Sequence, residues 1–233
     1  MTISIRAITI DLDETLWPVG PVIAKAEAAL LAWMSTHAPA VAERFPPPAM
    51  RGLREQIIKE VEPHRRSDMG HVRRTAIAHA MKLVGEDPAK AHEAYAAFDA
   101  ARQEVELFAD ALPALLALGA RYPVFALSNG TADIHRTGLA KHFVGALSAA
   151  ECGFSKPDAR IFHAACARLG CTPGEVLHIG DDALLDVEGA LAAGLRAVWL
   201  NRSGAQWNGS VQPDRIVSGL AEIVAWLGDH NDS

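Results

Sequence analysis

At 233 residues, half of them apolar, the chain is long enough to bury a large core and to form one main domain with at most a modest insertion. Its formal charge of −6 excludes the broad basic surface that nucleic acid or anionic lipid requires, and its basic residues cluster only at Arg65, Arg66, Arg73 and Arg74. Cys152, Cys166 and Cys171 form no C-x-x-C pair, and an odd count is a poor start for a disulfide framework, so a reducing compartment is the simpler reading. The first residues carry Arg6 inside their apolar stretch and run into acids, unlike a signal peptide. No apolar run reaches the ~20 residues of a membrane span. A cytoplasmic monomer or homodimer with no nucleic-acid or membrane partner is expected.

Residues 3–12, rich in Ile and Thr and closed by acids, predict a buried strand. Residues 17–106 then hold helical periodicity and no convincing strand. Ile23, Ala26, Leu30 and Met34 share one face; Met50, Leu53, Ile57 and Val61 a second; Val72, Ala76, Ala80 and Val84 a third; Ala91, Tyr95, Phe98 and Val105 a fourth. They predict a four-helix insert in which Phe45-Pro46-Pro47-Pro48 separates the first two helices, because consecutive prolines cannot continue a helix. Beyond it, strands are expected at 124–128, 144–148, 176–180 and 197–200, between helices at 110–118, 132–141, 158–169 and 184–193. The class is α/β: a parallel-sheet core from residues 1–16 and 107–233, covered on both faces, with the helical insert after its first strand.

The first strand ends in Asp11-Leu12-Asp13-Glu14-Thr15, two carboxylates two residues apart where the sheet's carboxyl edge opens into a crevice. Alone, this pair reads as well as a strand end capping a turn. Three further features reach the same edge. The second strand ends in Ser128-Asn129-Gly130, Ser155-Lys156-Pro157 precedes the Asp158 that opens a helix, and a later strand ends in Gly180-Asp181-Asp182 with Asp186 one turn on. Singly, Ser128 is a turn residue, Lys156 a solvated charge and Asp181 with Asp182 a helix cap. The recurrence of all four, in order, at carboxyl ends of strands or in the loops after them is hard to reach by accident.

The ordered set resembles the haloacid dehalogenase superfamily, through DLDETLW at 11–17, LSNG at 127–130, KPDARIF at 156–162 and HIGDDALLDVEGALAAG at 178–194. The resemblance implies a Rossmann-like core with an α-helical cap, and a phosphatase that works through an aspartyl-phosphate intermediate. It makes Asp11 the nucleophile and Asp13 the acid that protonates the leaving oxygen, then the base that deprotonates water. Ser128 would donate to phosphoryl oxygens with Asn129 beside it, and Lys156 would hold the phosphate and the charge on Asp11. Mg²⁺ would sit on Asp11, the backbone carbonyl of Asp13, and Asp181, with Asp186 acting through water or by orienting Lys156 and Asp182 the outlying member.

Elementary chemistry agrees. A carboxylate can approach a dianionic monoester only if its charge is neutralised, which Lys156 and a cation with oxygen ligands would do, and covalent capture splits one hard displacement into two easier ones. Dehalogenases of the superfamily lack an acid two residues after the nucleophile, so Asp13 favours phosphate; a phosphonatase would need a cap amine, and Lys25, Lys59, Lys82 and Lys90 lie in no recognisable setting. The same residues would also serve a phosphomutase or a non-catalytic phosphate-binding module. The expected partner is a small phosphorylated metabolite. Substrate choice falls to the insert, where residues 62–74 gather Arg65, Arg66 and His71, and to Trp17, which can stack on a ring. The segment 11–22 with Glu62-Pro63 resembles bacterial flavin mononucleotide phosphatases that also act on a phosphoribityl flavin precursor, making FMN or a related sugar or polyol phosphate the first substrate to test. The cysteines read as packing residues and His178, in an apolar strand, as a core residue or one supporting the site.

Overall fold

The computed structural model describes residues 5–229. The chain divides into two compact units, one running up to Pro18 and resuming at Glu106, the other spanning Val19–Val105. Trp17 and Pro18 therefore belong to the first unit.

That unit is built on a six-stranded sheet, every pairing parallel, in the order β3-β2-β1-β4-β5-β6. Its strands are β1 (Ala7–Ile10), β2 (Val124–Ser128), β3 (Gly145–Ser148), β4 (Val176–Gly180), β5 (Arg196–Leu200) and β6 (Arg215–Val217). Strands β1, β2 and β4 are buried along their whole length, as parallel strands covered on both faces must be. The expected first strand at 3–12 is real but shorter, its first two residues lying outside the described residues. The sixth strand, β6, is too short and too exposed to announce itself.

Ala7, Phe125, Leu127, Val176, Ala197 and Trp199 form one apolar layer with residues of α7 (Ala149–Cys152), α8 (Ala159–Leu169) and α9 (Gly189–Ala192). On the other side α6 (Ala111–Gly119) packs on β2 and against α10 (Leu220–Asp229). Between β4 and α9 the chain makes a π-helical turn, Ala183–Glu188, within the helix expected at 184–193. The helix expected at 132–141 does not form. Asp133 takes the His135 amide on its side chain (2.7 Å), and Gly138 adopts φ +79°, so one turn closes and the segment ends in a 3-10 turn, Ala140–His142.

The second unit holds α1 (Val19–His37), α2 (Pro39–Arg44), α3 (Pro47–Glu60), α4 (Met69–Leu83) and α5 (Ala91–Arg102), one short helix more than expected. Its core follows the expected faces, with Ala26, Leu30, Met34, Met50, Leu53, Ile57, Val72, Ala76, Ala80, Ala91 and Phe98 buried together. Val105 lies beyond the end of α5. The proline run does not merely separate helices: Pro47 and Pro48 occupy the first turn of α3, where a missing N–H costs nothing and the fixed φ suits the helix. Among the described residues no helix is long and apolar enough to cross a membrane.

Candidate active site

The sheet order reverses at β1, whose neighbours β2 and β4 lead the chain in opposite directions, so a crevice opens at their carboxyl ends. There, within the sheet unit, a cleft of about 200 Å³ is lined by Asp11, Asp13, Glu14, Ser128, Asn129, Gly130, Lys156, Asp181, Asp182, Leu185 and Asp186. All the core positions singled out from sequence meet in it.

Asp11 is the residue after β1, fixed by its amide on the Ile179 carbonyl (2.9 Å). Lys156 is almost wholly buried, and its ammonium spends its three protons on Asp11 Oδ1 (2.5 Å), Asp186 Oδ1 (2.6 Å) and the Leu127 carbonyl (3.0 Å). The solvated-charge reading of Lys156 is therefore excluded. Asn129 lines the cleft beside Ser128, with its amide engaged on the Lys156 backbone, accepting from the amide N–H (2.8 Å) and donating to the carbonyl (3.0 Å). Ser128 Oγ accepts from the Gly130 amide (2.9 Å), and the residue lines the cleft.

Asp13 accepts the Trp17 indole N–H (2.8 Å), and the Glu14 amide bonds the Trp17 carbonyl (2.8 Å) across a turn in which Glu14 takes φ +57°. Trp17 is fully buried, so it does not offer a stacking face; it holds the Asp13 carboxylate. The remaining acids divide. Asp182 caps the π-helical turn, accepting from the Leu184 (2.9 Å) and Leu185 (2.8 Å) amides. Asp186 Oδ2 accepts the Asp182 amide (3.0 Å) and Oδ1 faces His178 Nε2 (3.2 Å) as well as Lys156. Gly180 makes room for it: a Cβ there would lie 2.3 Å from the Asp186 carboxyl carbon.

Sequence reasoning missed Thr15, whose hydroxyl donates to Asp181 Oδ1 (3.1 Å), Trp199, whose indole donates to the Asp181 carbonyl (2.7 Å), and Thr9, whose hydroxyl lies 2.9 Å from His178 Nδ1. A hydroxyl inside the apolar strand at 3–12 was the available signal for Thr9. Thr15 and Trp199 carried none, since both reach Asp181 from elements distant in sequence.

Electrostatics follow from burial. Burial pushes the Asp11 carboxyl well above the ordinary range, Asp186 and Asp181 push the same way, and Lys156 opposes them. Burial and the Asp186 charge push Asp181 up to about 7, against the Thr15 hydrogen bond. Asp186 behaves oppositely: burial would raise it, but the Lys156 charge and the His178 hydrogen bond hold it below the usual carboxylate range. Burial would lower Lys156, yet Asp11 and Asp186 keep it above an ordinary lysine. Oxygens of Asp11, Asp181 and Asp186 lie within 4.8 Å of one another. Once all three ionise, as they would around a cation, three carboxylates against one ammonium leave two negative charges unbalanced, and hard oxygen donors at this spacing fit a divalent cation of the magnesium class.

The remaining expected site residues lie in the helical unit. Arg66 caps the end of α3, donating to the Lys59 (2.9 Å) and Val61 (3.3 Å) carbonyls, Arg65 pairs with Glu62 (3.6 Å), and the His71 amide bonds the Asp68 side chain that caps α4. Arg73 and Arg74 stack on the Phe98 and Tyr95 rings. Arg66, Arg73 and Arg74 thus engage their guanidinium groups within the unit itself.

The family model described as haloacid dehalogenase-like hydrolase matches residues 5–194, and the chain belongs to that family. It is 31% identical over 231 residues to the 5-amino-6-(5-phospho-D-ribitylamino)uracil phosphatase YigB of Escherichia coli K12, covering 96% of each chain. It is also 34% identical over 160 residues to the phosphoserine phosphatase of Thermus thermophilus, covering 66% of this chain and 64% of the relative. Among solved structures, one titled 2-haloacid dehalogenase from Pseudomonas syringae pv. tomato DC3000 superposes with TM-score 0.90 at 32% identity, covering 97% and 99% of the two chains. Within its family the protein is an enzyme of the phosphatase kind, a haloacid dehalogenase-like phosphoric monoester hydrolase.

Proposed function

We propose that the protein hydrolyses a small phosphate monoester, with Mg²⁺, through an acyl phosphate on Asp11, and that its substrate carries a phosphorylated ribityl chain, as FMN and 5-amino-6-(5-phospho-D-ribitylamino)uracil do. The carrying observation is the contact of buried Lys156 with Asp11 in a cleft that also holds Asp13.

In this reading an Asp11 carboxylate oxygen attacks phosphorus and the substrate's ester P–O bond breaks. The departing alkoxide takes its proton from the Asp13 carboxyl, which Trp17 orients. Asp13, now ionised, removes a proton from water; the water oxygen attacks phosphorus, the O–P bond of the Asp11 acyl phosphate breaks to return the carboxylate, and inorganic phosphate leaves. Lys156 keeps the Asp11 charge in place, and Ser128 donates to a phosphoryl oxygen. Asp11, Asp181 and the Asp13 backbone carbonyl would hold the cation, which when bound supplies charge neutralisation for the dianionic ester. The substrate choice rests on the full-length similarity to the E. coli phosphoribityl phosphatase.

The similarity to a structure titled as a dehalogenase supports a second reading, carboxylate displacement of halide from a 2-haloacid. Asp13 argues against it, because a halide leaves without a proton. The experiment is release of inorganic phosphate from FMN, phosphoribityl precursors, sugar phosphates and phosphoserine, and of halide from 2-haloacids, with Mg²⁺ and with EDTA. Metal-dependent phosphate release led by the ribityl phosphates, and lost in Asp11→Asn, is expected. Halide release without metal would overturn the reading.

A further inference from the structure

Thr9 and His178 are register partners on β1 and β4, both fully buried in the layer packed by α8 and α9, where Phe162 meets the imidazole edge-on at 5.2 Å. The other residues of β1 are Ala7, Ile8 and Ile10. A hydroxyl and an imidazole in such a layer cost stability unless every polar atom is paired. Both are paired, and the partners fix the protons. Asp186, already held by an ammonium, only accepts, so His178 Nε2 carries the hydrogen directed at Oδ1. In the neutral ring Nδ1 is then the acceptor, and the Thr9 hydroxyl donates to it.

The bonds continue to the reacting carboxylate. Asp186 Oδ1 receives both His178 and Lys156, Oδ2 receives the Asp182 amide, and Lys156 meets Asp11. A carboxylate torsion is broad and two-fold when few donors constrain it. Three donors from three directions leave it one orientation.

From this geometry we infer that His178, itself oriented by Thr9, is a positioning residue for phosphoryl transfer: its Nε2–H fixes the rotation of the Asp186 carboxylate, and through it the place where Lys156 meets Asp11. The inference rests on reading Asp11 as the nucleophile. His178 touches no reacting atom; it is buried behind the residues that line the cleft.

The test compares kcat and KM for para-nitrophenyl phosphate with Mg²⁺ in the wild type, Thr9→Val/His178→Leu and His178→Gln. Replacing both polar partners by apolar groups of similar shape leaves no orphan between the strands, so the double variant should melt near the wild type. Its kcat should nonetheless fall about 10–100-fold, the usual effect of removing a supporting hydrogen bond behind a metal site, with KM changed far less. His178→Gln, whose amide can donate to Asp186, should recover most of that loss. A stable double variant with wild-type kcat overturns the inference. Should the double variant fail to fold, nitrogen-15 NMR of the wild-type imidazole decides: Nε2–H with bare Nδ1 is expected, and a ring protonated on Nδ1 overturns it. A wild type that releases no phosphate strikes the Asp11 reading itself; a working wild type beside an unaffected double variant strikes only the role of His178.

Discussion

Lys156→Met replaces a buried ammonium by an apolar side chain of similar length while leaving Asp11 and Asp186 in place. Removing one partner of a buried ion pair leaves an uncompensated charge and costs ~3–5 kcal/mol. In a chain of this size each kcal/mol moves the melting temperature by ~2–4 °C, so a fall of about 6–20 °C is expected. The loss has a characteristic pH dependence. In the wild type Asp186 is held below its unfolded value of ~3.9, so its contribution is present above that pH and is lost as pH falls through the folded value. In the variant burial acts without the ammonium, raising Asp186 and pushing the already raised Asp11 further up, so their contribution is full below the unfolded value and is lost as pH rises through the folded one. The gap between the two proteins should therefore widen from pH 5 to pH 8. Urea unfolding followed by tryptophan fluorescence in EDTA measures it. A gap below ~1 kcal/mol at both pH values is what a solvated surface ion pair would give, and it would refute the reasoning.

Asp13→Asn should slow phosphate release far more for alkyl phosphates than for para-nitrophenyl phosphate, since an activated leaving group needs little protonation; equal losses would remove Asp13 from the acid role. Gly180→Ala puts a Cβ 2.3 Å from the Asp186 carboxyl carbon and should cost ~1–3 kcal/mol by overpacking, together with a loss of kcat, read by thermal melting and steady-state rates. Arg202 holds Asp110 through two hydrogen bonds (2.9 and 3.1 Å) and also bonds the Thr15 carbonyl (3.1 Å). Burial would raise Asp110, but Arg202 and the Leu220 amide hold it below the usual range, so its contribution is present above ~3.9 and lost as pH falls through the folded value. Arg202→Met should accordingly be less stable than the wild type at pH 7, with the difference closing below about pH 4; melting curves across that range that stay parallel would refute it.

The order of the amino acids was enough to place the alternating strands and helices, the helical insert and the convergence of Asp11, Asp13, Ser128, Lys156, Asp181 and Asp186. These were legible because hydrophobic periodicity and position after a strand are local properties, and parallel strands deliver their carboxyl ends to one edge whatever the details of packing. Only the packed fold settles what each polar atom does there. It turned Trp17 from a stacking surface into a buried donor to Asp13, engaged Asn129 as a clamp on the Lys156 backbone, and put Asp182, alone of the Asp181-Asp182 pair, in the capping role. It placed Thr9 against His178 and Thr15 against Asp181, pairs separated by more than 160 residues. It also made a turn of the segment 132–141, whose apolar spacing suits a helix but whose Asp133 and Gly138 close a turn first. Which donor finds which acceptor depends on strand register and on the neighbour across the sheet, and neither is written in the local pattern that sets a helix or a strand.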